Sequence, residues 1–167
     1  MKITLKIAAQ VLLVYVCTVM ITSLAYVALA AAPDPQLTPG VSRGLSLEQI
    51  CETKWGDDKR AVTERMKSQA YASYGMVRHE GACALSPQGC EIDHLISREL
   101  GGADDVKNLW PQPYGGTCNA HQKDHLENVL HAKVCAGEIS LDEAQLKIST
   151  DWRKAYAELI DPEGCGD

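Results

Sequence analysis

Between residues 59 and 74 the apolar side chains Val62, Met66, Ala70 and Tyr74 fall at four-residue steps, the repeat of one helix face, and Gly75 follows as a stop. The period returns at Leu126, Val129, Leu130 and Val134, closed by Gly137. It returns again at Leu141, Ala144, Ile148, Trp152, Ala155 and Leu159, closed by Asp161-Pro162. Ser140 and Glu143 stand at capping-box spacing before this last helix, so each is expected to satisfy an orphan amide. Between the first two helices the pattern changes. Gly and Pro punctuate residues 81–89, the apolar-rich run 92–96 reads as a strand, and Gly101-Gly102 turns the chain. Asn108-Leu109-Trp110 then leads into a loop through Pro111, Pro113 and Gly115-Gly116. These elements predict an α+β domain.

The N-terminus follows a different rule. Charge in the first 33 residues is confined to Lys2 and Lys6, and an uncharged, apolar run extends from Ile7 to Pro33. Residues 1–30 therefore read as a signal peptide, with the small residues Ala28 and Ala30 marking a cleavage site. The alternative is an uncut anchor, since the run is long enough to cross roughly 30 Å of hydrocarbon. Either way Lys2 and Lys6 hold the N-terminus inside, and the rest of the chain is expected in the periplasm or outside the cell. Val16 is too bulky for the residue before a lipidated Cys17. Residues 31–45, rich in Pro, Ala and Gly, read as a flexible spacer, which leaves 46–167 as the folded domain.

Composition narrows the class. The 167 residues make one small domain, with 16 Lys plus Arg against 22 Asp plus Glu, which excludes a basic nucleic-acid-coating protein. Loss of the leader removes two lysines and Cys17, leaving 14 basic and 22 acidic side chains and six cysteines. In an oxidising compartment Cys51, Cys83, Cys90, Cys118, Cys135 and Cys165 are expected to form up to three disulfides, whose pairing the sequence leaves open. No Cys-x-x-Cys pair occurs, so a structural zinc site is the weaker reading.

Chemistry concentrates in Glu91-Ile-Asp-His-Leu-Ile-Ser-Arg-Glu-Leu-Gly-Gly102, Val106-Lys-Asn-Leu-Trp-Pro111 and Asn119-Ala-His-Gln-Lys-Asp-His125. Adjacent strand residues point to opposite faces, so Asp93 and His94 flank one phosphate only if the strand ends and twists there. Histidine suits a general base because its ordinary pKa lies near neutrality, and an Asp oxygen suits a hard divalent ion.

Asp-His, Gly-Gly and Asn-Leu-Trp-Pro at these spacings resemble the HNH nucleases of the His-Me finger, or ββα-metal, class, in particular an exported bacterial branch. The resemblance runs from about Ile50 to Tyr156 and implies a small ββα-metal core within residues 77–136: a short antiparallel hairpin and a helix, flanked by further helices and stapled by disulfides. It implies an endonuclease that hydrolyses phosphodiester bonds of DNA, with RNA a second substrate, and with little sequence preference. Asp93 would ligate one divalent ion (Mg, Mn, Ni or Zn), His94 would deprotonate water, and Asn108 would orient the His94 ring. His121 is the best match for the next metal ligand, with His125 one helical turn on; Asn119 and Asp124 are rivals. A monomer is expected.

Each assignment has a plainer counterpart. His121, Asp124, His125, Asn128 and His131 share a helix side that an ordinary solvated face would also produce. Arg98 and Lys123 are candidate phosphate contacts, and Lys59, Arg60, Arg65 and Lys67, with Arg78, form a basic stretch suited to a nucleic-acid backbone; solvated charge explains them equally well. Trp110 and Tyr114 fit core packing better than base stacking, and His79 and His131 fit a surface. An acidic domain should bind a polyanion weakly and lose it in salt. The competing class is an HNH-like extracytoplasmic module that binds metal or protein without catalysis. A free His94 beside an Asp93–His121 cluster would favour the enzyme, and a buried, satisfied His94 the module.

Overall fold

The computed structural model describes residues 32–54, 57–77, 83 and 85–165. The leader with Cys17, and Arg78 and His79, lie outside the described residues. Ser46 opens α1 (Leu47–Glu52) with a full capping box, its hydroxyl accepting from the Gln49 amide and its own amide donating to the Gln49 side chain. Thr63 caps α2 (Glu64–Ser73) by accepting from the Met66 amide, so the helix starts later than the periodicity from residue 59 suggests.

Strand β1 (Cys90–His94) begins two residues before the predicted run and pairs antiparallel with β2 (Leu109–Pro113). The stretch read as a proline-bearing loop is thus a strand. Its register explains why. The Tyr114 amide donates to Gly89 and the Asn108 carbonyl accepts from Leu95, so even-numbered residues face β1, whereas Pro111 and Pro113 turn their missing donors to the unpaired edge. Asn119 and Gln122 form the capping box of α3 (Ala120–Cys135), and Ser140 caps α4 (Leu141–Leu159) by accepting from the Glu143 amide. Helix α4 kinks at Asp151, whose backbone is extended and whose carboxylate caps the second segment through the Arg153 and Lys154 amides.

Two apolar clusters hold this α+β arrangement together. Leu126, Leu130 and Val134 of α3 pack on Ala144, Ile148, Trp152 and Ala155 of α4, with Ile96 and Leu100 from the loop after β1. Ala70 and Tyr71 of α2 pack on Ile92 and Leu109 of the hairpin. Disulfides Cys51–Cys135, Cys83–Cys90 and Cys118–Cys165 tie α1 to the end of α3, the approach to β1 to its first residue, and the loop before α3 to the C-terminal segment. They fit an oxidising compartment. Among the described residues no helix is long and apolar enough to cross a membrane.

Residues 34–43 are not a loose spacer. Thr38 is fully buried, with its hydroxyl on the Tyr74 hydroxyl at 2.9 Å and the Leu109 carbonyl at 3.2 Å. Gly40 donates to the Lys107 carbonyl, Ala103 to Val41, and Arg43 to Gly101, so this strap closes over the loop between the strands. Its polarity served backbone pairing, which composition does not distinguish from disorder.

Candidate active site

Strand alternation sends Asp93 and His94 to opposite faces of the hairpin. Asp93 turns toward α3, where its Oδ2 accepts from the Lys123 ammonium at 2.7 Å. His94 turns toward the loop after Gly101-Gly102, where its Nε2 lies 2.8 Å from Asp104 Oδ1. That loop depends on a tight turn: Gly101 has φ +82°, and a Cβ on Gly102 would fall 1.8 Å from the Ile96 carbonyl oxygen. The turn carries Asp104 back beneath the strand end.

Asp104 belongs to an alternating chain of charge. Arg98 reaches Asp104 at 3.3 Å and Asp58 at 2.9 Å, and Arg43 completes it on Asp58 at 2.9 Å. Burial acts to raise the Asp104 carboxyl, but the Ala61 amide, His94 and Arg98 together hold it below the ordinary carboxylate range. On Asp58 the hydrogen bond from Arg43 leads the lowering. His94 is 4% exposed, and burial pushes its imidazole below 6.5 although the Asp104 contact opposes this. Arg60, exposed and donating to the Ile92 carbonyl at 2.5 Å, adds its positive charge to that lowering.

A folded-state imidazole lowered from 6.5 contributes stability that is present above that value and lost as pH falls through the lower folded value. Any reaction that uses neutral His94 should therefore hold its rate below pH 6.5 and decline only at a more acidic pH, as a pH–rate profile measures.

Asn108 is fully buried and does not orient the His94 ring, a role that belongs to Asp104. Its Oδ1 accepts from the Ile96 amide at 3.0 Å and the Val41 amide at 3.3 Å, and its Nδ2 donates to the Ile96 and Ala103 carbonyls at 3.0 and 3.1 Å. One amide thus clamps the strap and both ends of the loop that carries Asp104. Asn108→Ala strands these buried groups and is expected to cost about 1–3 kcal/mol in chemical denaturation.

Lys123, expected at a phosphate, has no exposed surface. Its ammonium donates to Asp93 Oδ2 at 2.7 Å, to the His94 carbonyl at 2.7 Å and to Glu127 Oε1. Burial alone would lower this amine, but Asp93 and Glu127 reverse the effect and raise it. Burial pushes the Glu127 carboxyl up to about 8 against the pull of Lys123. Burial, then the charge of Asp93, also raises Glu91 and Asp124. Tyr114, donating to Glu91 at 3.0 Å, is raised to about 12, by burial first and Glu91 second.

The proposed ligand set is not assembled. His121 stacks on Tyr114 with ring centroids 5.8 Å apart, and His125 meets the edge of Tyr156 at 6.3 Å. Asn119 spends its side chain on the His121 amide and the Gly116 carbonyl. With Asp93 committed to Lys123, no group of three His, Cys, Asp or Glu able to hold a metal ion occurs among the described residues. These residues as placed do not fit a divalent ion. Arg98 is brought to the site but paired; Lys59, Arg60 and Arg65 are exposed, and Lys67 pairs with Glu64 at 2.7 Å. His131 contacts the Ile50 carbonyl at 3.3 Å, and Trp110 is buried.

No motif spacing singles out Asp104, although its place two residues after the glycine pair marks it as the first polar side chain the turn returns to the strand. No family model, curated protein or solved structure matches the chain.

Proposed function

We propose that this chain is an exported endonuclease of the HNH type, hydrolysing phosphodiester bonds of DNA with little sequence preference, RNA being open to the same chemistry. The observation that carries the reading is the His94–Asp104 contact at the end of the hairpin. The order β1, β2, α3 agrees with a ββα core. Asp104 as acceptor fixes the proton on Nε2 and leaves the Nδ1 lone pair as the base. Water loses its proton to that nitrogen as its oxygen bonds to phosphorus, and the bond from phosphorus to the 3′ oxygen breaks, with that oxygen leaving as a hydroxyl by taking a proton from solvent water. Asp104 stabilises the imidazolium, and exposed Arg60 supplies positive charge for the phosphate. Nothing in this set reads bases, and the acidic domain implies weak, salt-sensitive binding.

The module remains the second reading, favoured by the near-complete burial of His94. Cleavage decides between them. The oxidised protein, with plasmid and single-stranded DNA or RNA at low salt, in chelator and in Mg²⁺, Mn²⁺, Ni²⁺ or Zn²⁺ in turn, should yield 5′-phosphate ends. Intact substrate in every condition would leave the module.

A further inference from the structure

Lys123 is the feature that the hydrolytic reading does not use. A lysine with no exposed surface is rare unless paired, and this one is held by three oxygens from two elements: Asp93 and the His94 carbonyl on β1, and Glu127 one turn along α3. Two carboxylates and a carbonyl are the hard donors that a divalent cation takes. Here an ammonium takes them. The placement is built into the helix, because Lys123 lies three and seven residues before the core residues Leu126 and Leu130 and so shares their inward face.

We propose that Lys123 is the resident cation of this site: its ammonium fills the position between Asp93, Glu127 and the His94 carbonyl, and a divalent ion enters only when the lysine is removed. Lys123 is then a positioning residue. It draws Asp93 and the strand end onto α3 through the His94 carbonyl, and so fixes the residue whose side chain meets Asp104 on the other face. The inference goes beyond the nuclease reading and stands whether or not the chain cleaves nucleic acid, because its test is a binding measurement.

Mn²⁺ added to the full-length, oxidised, ¹⁵N-labelled protein reports the site directly through paramagnetic broadening of nearby amides. In the wild type the amides of Asp93, His94, Lys123 and Glu127 should stay sharp at stoichiometric Mn²⁺. In Lys123→Met they should broaden first, with Mn²⁺ affinity raised by about tenfold or more. Selective broadening of those four amides in the wild type overturns the proposal, and this arm stands even where the variant does not fold. A folded Lys123→Met protein that gains no Mn²⁺ site overturns it equally.

Discussion

His94→Ala is expected to lower phosphodiester cleavage by about 10²–10⁴-fold, the usual contribution of a positioned general base. The loss should fall on the chemical step, with nucleic-acid binding unchanged, because His94 offers almost no surface to a ligand. Folding should survive, since Asp104 keeps the Ala61 amide at 2.7 Å and the Arg98 guanidinium at 3.3 Å. Asp104→Asn makes the companion case. It preserves size but removes the charge that steadies the imidazolium, so cleavage should drop while the substrate dissociation constant holds. Single-turnover rates and fluorescence anisotropy on the same oxidised preparations separate the two quantities. A His94→Ala protein that cleaves at the wild-type rate would assign the activity elsewhere, and the dyad would then be a buried polar brace.

Much of the fold follows from spacing visible in the sequence, and the departures have physical causes. The helices closed by Gly137 and Asp161-Pro162 stand where the period places them, because amphipathic stripes of three or more turns survive tertiary packing, while the one closed by Gly75 starts only at Glu64, where Thr63 caps it. The capping box at Ser140 is only half made, with no return bond from the Glu143 side chain to the Ser140 amide. Helix α1 is six residues long, too short for a period to declare itself, although Ser46 and Gln49 carry its cap in plain view. Strand β2 was hidden by its prolines, which only an unpaired edge accommodates.

In the site, the sequence brings forward Asp93, His94, Asn108 and Lys123, but not Asp104, and not the pairing of Lys123 with Asp93. A hydrogen bond between His94 and Asp104 joins residues ten apart around a turn, and no helix or strand period links such positions. Lys123 is the instructive case. Charge suggested an exposed phosphate contact, whereas its phase relative to Leu126 and Leu130 placed it inward. Where a charged residue falls on a core phase, phase decides its location, and the neighbouring carboxylates show how the charge is accommodated.

Lys123→Met should be the most destabilising single change on this face, by about 3–5 kcal/mol, the cost of removing one partner from a buried ion pair. Methionine fills most of the volume, so packing contributes little and the uncompensated Asp93 carboxylate carries the loss. In a domain of this size the midpoint of thermal unfolding should fall by about 10 °C or more. The pH dependence identifies the cause. Without the ammonium nothing opposes the burial and the Asp93 charge that already raise Glu127, so its carboxyl favours the protonated state in the folded protein still more than in the unfolded chain. Groups whose folded pKa is raised contribute stability at low pH that is lost as pH rises through the folded value. Calorimetry should therefore find the gap between variant and wild type wider at pH 8 than at pH 5. A cost that does not change with pH would locate the loss in packing, and the Asp93–Lys123 pair would then contribute little to holding the hairpin against α3.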